Sequence, residues 1–137
     1  MSARARGVVA CALLVGVTAC SADTVHMDGF EVNDATRGTC EDFLEALPSS
    51  VHDLDEVEVE PKGSLGRAWG NPAIVAICGV DMPPDFNKFS SCEEANGVGW
   101  YIPDEDLADD QPVTMTTIGF DPVVEVPVRP TTVRRAT

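Results

Sequence analysis

The chain has 137 residues, of which 23 are Asp or Glu and only 9 are Lys or Arg, so its formal net charge at pH 7 is −14. Nucleic-acid binding depends on Lys and Arg side chains that neutralise phosphates, and the longest basic run is Arg134-Arg135. The composition therefore excludes nucleic-acid binding. The partners that this charge can attract are cations or basic proteins, but a solvated surface that keeps the domain soluble is the favoured interpretation of the charge.

The N-terminus has the parts of an export signal. Arg4 and Arg6 provide a positive start, and Gly7 to Val17 form an apolar run. This run is too short to span a bilayer, which takes about 20 apolar residues. The sequence "VTAC" then ends at Cys20 and has the lipobox pattern of bacterial lipoproteins. We expect residues 1–19 to be removed as a lipoprotein signal peptide and Cys20 to receive the lipid; the alternative is a plain secretory signal with an incidental Cys20.

Removal of the signal leaves 118 residues, which suits one small domain. The loss of Arg4 and Arg6 changes the net charge from −14 to −16, which argues against electrostatic adhesion to anionic lipid. We therefore expect the protein at the cell membrane, on its extracytoplasmic face, held by the lipid at Cys20. Envelope proteins are candidate partners, and no sequence feature indicates an oligomeric state.

Residues 20–38 are expected to form a tether, or an edge strand at "TVHM" or "GFEV". A helix is predicted over "TCEDFLEALP", because Thr39 can cap its N-terminus and Pro48 ends it. The spacing i, i+3, i+4, i+7 indicates one apolar helix face, formed by Cys40, Phe43, Leu44 and Leu47.

Five strands are predicted after the helix. The segment "DEVEVEP" alternates Val with Glu, and its Pro61 suits an edge strand, whereas the apolar run "AIVAICG" predicts a central strand. The other three are "VGWYI", "VTMTTIGF" and "PVVEVPV". The pattern predicts an α+β domain at 39–129, with a short N-terminal helix packed on a mainly antiparallel sheet of about five strands. A disordered tail is expected at 130–137.

Three cysteines remain besides Cys20, and exported proteins meet an oxidising environment. If the strand that ends at Cys78 and the strand that follows Cys92 are antiparallel neighbours, these two cysteines lie close together. A Cys78–Cys92 disulfide is therefore the favoured prediction, and Cys40–Cys78 and Cys40–Cys92 stay open as alternatives. No C-x-x-C spacing is present and neither histidine lies near a cysteine in sequence, so no redox motif, metal site or cofactor is indicated.

Several segments resemble a known family. The blocks "CEDFLEALP", "AWGNPAIVAICGV", "CEEANGVGW" and "TTIGFDPVVEV" resemble the actinobacterial envelope lipoproteins of domain of unknown function 3515, and the block from Trp69 to Val80 is the most specific. The resemblance extends from Cys40 to about Val128; it implies a lipoprotein signal and no particular biochemical activity. It also implies an arginine at the positions of Ile77 and Phe120, which this chain lacks.

An acidic run precedes the fourth predicted strand. Its oxygens are of the kind that bind Ca²⁺, but the run lacks the central glycine and the closing glutamate of an EF-hand loop. A solvated hairpin tip is the favoured interpretation of these residues, which are Asp104, Glu105, Asp106, Asp109 and Asp110.

The aromatic residues Trp69, Trp100 and Tyr101 are candidates for a pocket that binds a sugar or a lipid headgroup. Core packing is the favoured interpretation. A structural role is therefore assigned to five residues: Trp69, Gly70, Pro72, Gly79 and Trp100.

The sequence has no G-x-S-x-G elbow, and only His26 and His52 are available as imidazole bases, so no catalytic residue is assigned. The favoured function is a lipid-anchored, extracytoplasmic module that binds or scaffolds a component of the cell envelope. Two alternatives stay open: an enzyme that acts on envelope material, and a structural accessory subunit of a membrane complex.

Overall fold

The structure is a computed structural model that describes residues 23–107 and 111–128. The predicted signal peptide, the lipidation site Cys20 and the predicted tail 130–137 lie outside the described residues. Helix α1 spans Asp34–Ala46, and a short 3-10 helix spans Asp104–Leu107. The strands of the described ranges are β1 (Thr24–His26), β2 (Ser50–Val51), β3 (Leu54–Glu60), β4 (Gly66–Trp69), β5 (Ile74–Val80), β6 (Cys92–Ala95), β7 (Val98–Tyr101), β8 (Val113–Ile118) and β9 (Val123–Val128).

These nine strands form one mixed sheet in the order β1-β3-β4-β5-β9-β8-β7-β6, and β2 pairs with β3 beside this path. Strand β1 is parallel to β3, and every other pairing between the described strands is antiparallel. The predicted short helix on a sheet of about five strands is therefore wrong, because the fold is mostly β. The additional strands β1, β2, β4 and β6 have only two to four residues each, too few for a clear alternation of apolar and polar side chains.

Helix α1 begins at Asp34, before the predicted start. Its N-cap is Asn33, whose side-chain oxygen accepts a hydrogen bond of 2.9 Å from the Thr36 amide. Thr39, the predicted cap, lies inside the helix and donates its hydroxyl to the Ala35 carbonyl at 3.1 Å. The first turns of the helix are mostly polar, so the apolar spacing on which the prediction depended begins only at Cys40.

The helix packs on one face of the sheet, which we call the helix face. The buried cluster there contains Cys40 and Leu44 from α1, Leu65, and Cys78 from β5. Four partly buried apolar residues pack against this cluster: Phe30, Val32, Leu47 and Val124. The core therefore lies between the helix and the centre of the sheet.

The disulfide joins Cys40 to Cys78, with their Cα atoms 5.5 Å apart, and Cys92 is an exposed free thiol. The predicted Cys78–Cys92 disulfide is wrong. That prediction required the strand of Cys78 to neighbour the strands around Cys92. Instead β9 pairs with β5, and three strands, β9, β8 and β7, separate β5 from β6.

Strand β3 was predicted at an edge because of its glutamates and Pro61, but it lies inside the sheet. It pairs with β4 on one side and with β1 and β2 on the other. The segment "TVHM" supplies β1, whose residues Thr24–His26 pair with Glu58–Glu60. The chain just after the predicted lipidation site therefore covers the edge that β3 would otherwise expose.

Candidate functional site

Trp69 is buried on the helix face, with 3% of its surface exposed. Its indole Nε1 donates a hydrogen bond of 3.0 Å to the Pro48 carbonyl, just after the helix. Gly70 and Gly79 both have positive φ, +77° and +90°, which favours glycine. A Cβ at Gly70 would also come within 2.9 Å of the Leu54 side chain, whereas Pro72 is exposed. Trp69 and both glycines thus have defined positions in the packing around β4 and β5.

Arg67 was missed by sequence reasoning, yet it connects three parts of the fold. Its Nη1 donates to the carbonyls of Leu44 (2.9 Å) and Leu47 (2.6 Å) at the end of α1. Its Nε and Nη2 bind both carboxylate oxygens of Glu56 on β3, at 2.7 and 2.5 Å. These hydrogen bonds lower the pKa of Glu56. The guanidinium carbon of Arg67 also lies 5.5 Å from the centre of the Trp69 ring. An isolated arginine in "SLGRAWG" gives no sequence signal of these partners.

The three aromatic candidates do not form one pocket. Trp100 lies on the helix face opposite Thr117, whereas the consecutive residue Tyr101 points to the other face opposite Thr116. The Tyr101 hydroxyl donates to the Asp85 carboxylate at 2.7 Å, which raises the pKa of Tyr101 to about 12. Tyr101 therefore holds the loop after β5 against the sheet.

An apolar groove of about 430 Å³ lies between helix α1 and the helix face. Phe43 from α1, Trp100 from β7 and Phe120 from the β8–β9 turn line it, and Phe43 and Phe120 are 36% and 50% exposed. Of the three residues considered for an aromatic pocket, Trp100 lines this groove, whereas Trp69 and Tyr101 do not. Phe120 is also one of the two positions where the resemblance implies an arginine.

A larger concavity of about 640 Å³, which we call the N-terminal cavity, lies on the opposite face of the sheet. Its walls are the segment 23–28, the turn 70–73, and side chains that include Val75 and Ile77 of β5 and Glu125 and Pro127 of β9. Ile77, the second position of an implied arginine, therefore makes this wall apolar. Residues 23–28, the first that the structure describes, therefore lie over the central strands β5 and β9.

Besides the pairing of β1 with β3, contacts of Met27 hold the N-terminal segment over this face. The Met27 amide donates a hydrogen bond of 2.8 Å to the Glu60 carbonyl. The Met27 sulfur occupies the space beside Gly66, where a Cβ would collide with it. Since Gly66 pairs with Ile77 in the sheet, Met27 is placed on the face that the cavity shares.

Glu125 is the ionisable group of the sheet wall in this cavity. Its carboxylate makes no hydrogen bond or ion pair with any residue in 23–107 or 111–128. It lies directly opposite Ile77 on β5, and burial raises the pKa of Glu125. Burial of this carboxyl group without a partner therefore favours its protonated form or its pairing with a bound cation.

The opposite neighbour of Glu125 on β8 is Thr116, which is fully buried. The Thr116 hydroxyl has no hydrogen-bond partner within the described part of the chain. Directly opposed residues project from the same face of a sheet, so two unpaired polar side chains lie next to each other near the cavity wall.

The first part of the acidic run has a defined position in the fold. Asp104–Leu107 form the 3-10 helix, and Asp106 accepts a hydrogen bond of 2.9 Å from the Thr114 amide on β8. Asp109 and Asp110 lie outside the described residues. Within the described ranges, no group of three or more His, Cys, Asp or Glu side chains is arranged to hold a metal ion.

The two histidines occupy separate exposed positions. His26 on β1 has its Nδ1 3.5 Å from a Glu60 carboxylate oxygen, and His52 lies in the turn between β2 and β3 with φ +48°. Neither position assigns a catalytic role to these imidazoles.

No helix in residues 23–107 or 111–128 combines the length and apolar character needed to cross a membrane. Comparisons with curated proteins and with solved structures each find no match. The family model for a protein of unknown function, DUF3515, matches residues 4–136, which is nearly the whole chain. The chain therefore belongs to the DUF3515 family.

Proposed function

We propose that this protein is a lipid-anchored, extracytoplasmic binding module of the cell envelope, and that it binds a small molecule in the N-terminal cavity. The observation that carries the proposal is the short covalent path between the expected anchor and the cavity. Asp23 lines the cavity and is three residues from Cys20. Because consecutive Cα atoms are 3.8 Å apart, the Cα atoms of Cys20 and Asp23 are separated by at most about 11 Å.

This path has a consequence for orientation. A diacylglyceryl group on Cys20 would enter the outer leaflet, and the cavity would then lie close to the membrane surface. The opposite end of the sheet, where β6 carries Cys92, is four strands away from β5. At about 4.8 Å per strand, this end would lie up to about 19 Å farther along the sheet.

The volume and walls of the cavity support a binding role. Ligand sites are typically about 300–1,000 Å³, with mostly apolar walls and a few polar groups that orient the ligand. The cavity has about 640 Å³, an apolar wall that includes Val75 and Ile77, and an unpaired carboxylate at Glu125. One wall belongs to β5 and β9, which pair with each other at the centre of the sheet.

Mass spectrometry of the protein isolated from bacterial membranes tests the anchor. We expect diacylglycerol on Cys20, and we expect Cys20→Ala to accumulate as unprocessed precursor. An unmodified Cys20 at the N-terminus of released protein would contradict the proposal.

Membrane-depth quenching tests the orientation. A fluorophore at Asn71→Cys on the cavity rim, in a Cys92→Ser background, is compared with the same fluorophore on the native Cys92 thiol. In liposomes with a quencher on the lipid headgroups, we expect stronger quenching at position 71. Equal quenching at both positions would show that the cavity does not face the membrane.

A further inference from the structure

The N-terminal cavity combines an apolar wall with a carboxylate that lacks a partner. Glu125 projects from β9 with Ile77 directly opposite on β5 and Pro127 two residues along the same strand face. On its other side, the buried Thr116 of β8 lies directly opposite. A partly buried carboxylate without a hydrogen-bond donor is unfavourable, because the protein replaces only part of its hydration. A ligand that brings a positively charged donor would relieve this cost.

Acidic side chains outnumber basic ones in the cavity. Asp23 and Asp28 line it with Glu125, whereas no Lys or Arg among the described residues does, and His26 is the single basic side chain. The whole chain adds to this field, with its net charge of −14. An anionic ligand would be repelled, and a cationic ligand would be attracted.

We propose that the N-terminal cavity binds an amphiphilic organic amine, whose ammonium group donates hydrogen bonds to Glu125 and whose alkyl body contacts Val75, Ile77 and Pro127. This inference rests on the proposed function and names the ligand class for the same cavity. The apolar wall explains why the ligand needs an alkyl body, and the unpaired carboxylate explains why it needs a cationic nitrogen. Glu125 is the only carboxylate on the sheet wall of the cavity, and the described residues contain no group of three or more His, Cys, Asp or Glu side chains arranged to hold a metal ion.

Three probes of equal chain length separate charge from apolar contact. They are hexylamine, hexanol and hexanoate, which are small and do not form micelles at the concentrations used. The full chain is purified from membranes in a non-ionic detergent, and dissociation constants are measured by titration calorimetry with a detergent blank. We expect hexylamine to bind about tenfold or more tightly than either of the other two probes, as for a charge-assisted hydrogen bond.

The decisive variant is Glu125→Gln, which keeps the shape of the side chain and removes its charge. We expect it to lose the preference for hexylamine, with a change of about tenfold, and to bind hexanol within about twofold of the native chain. The matched control is Glu93→Gln on the exposed strand β6, away from the cavity. It should leave all three constants unchanged, and melting temperatures verify that both variants fold.

Each other outcome overturns the proposal in a distinguishable way. Equal binding of the three probes would leave a binding cavity and remove its selectivity for amines. A preference that persists in Glu125→Gln would remove the role of Glu125. No binding of any probe would overturn the ligand assignment. The proposed anchor is tested separately, by mass spectrometry of Cys20.

Discussion

Cys40 on helix α1 and Cys78 on the central strand β5 are joined by a disulfide that fastens the helix to the middle of the sheet. Both residues are almost completely buried, with exposed fractions of 0% and 1%. Leu44 and Leu65 complete the cluster around them. The covalent link therefore lies at the centre of the core and connects elements that are 38 residues apart in sequence.

The Cys40→Ala/Cys78→Ala variant should lose about 4 kcal/mol of unfolding free energy, because a loop of this length restricts the unfolded chain by about that amount. Urea unfolding with and without reductant measures the loss. In the native protein, iodoacetamide should label Cys92 and leave the other two sulfurs unreacted. A cross-linked peptide that contains Cys92, isolated from the monomer under non-reducing conditions, would contradict the pairing.

Trp69→Ala should cost about 3–5 kcal/mol, since it empties a large buried site beneath the end of the helix. Thermal or urea unfolding of the purified variant measures this cost. Trp69→Phe is the matched control, because it retains an aromatic ring and removes the hydrogen bond to the Pro48 carbonyl. It should cost about 1–2 kcal/mol. An unchanged melting temperature for Trp69→Ala would argue against a structural role.

Arg67→Lys should destabilise the fold although it keeps the charge. A lysine cannot reproduce the two-pronged contact with Glu56 while also donating to the carbonyls of Leu44 and Leu47. We expect a loss of about 1–3 kcal/mol, measured by urea unfolding. Arg37→Lys is the control, since no hydrogen bond from the Arg37 side chain is found in the described residues. Equal effects of the two substitutions would rule out the proposed geometry.

Glu56 makes part of the stability pH-dependent. Hydrogen bonds from Arg67 lower the pKa of Glu56 in the folded state, from an ordinary value of 4.5. Its contribution is therefore fully present above the unfolded-state pKa and is lost as the pH falls through the folded-state pKa. Because the Glu56 side chain is 40% exposed, we expect this contribution to be about 1 kcal/mol or less.

The comparison is between the native chain and Glu56→Gln, with unfolding free energies measured from neutral pH down to about pH 3. The glutamine variant should be less stable at neutral pH, and the difference should disappear at the acidic end. A difference that stays constant across this range would show that the charge of Glu56 makes no contribution.

Local patterns in the sequence predicted the position of several elements. The apolar spacing from Cys40 to Leu47 indicated which side of helix α1 faces the core, and Cys40 and Leu44 are indeed buried in the core. The alternation of Val and Glu in β3, and the apolar run of β5, lie where the strands are found. These patterns could be recognised because each extends over four or more neighbouring residues, so the local sequence indicates which side of the element is apolar.

Local sequence patterns did not predict which distant segments pair with each other. The insertion of β9 between β5 and β8 decided that Cys78 meets Cys40 and not Cys92, and it placed Glu125 opposite Ile77. The register of a strand depends on which surfaces bury the most apolar area together, and this quantity belongs to the assembled sheet. The sequence by itself determined the acidic charge, the export signal pattern and the local periodicity. The tertiary structure alone decided the disulfide, the contacts of Arg67 and the cavity behind the N-terminal strand, because each joins residues that are far apart in the chain.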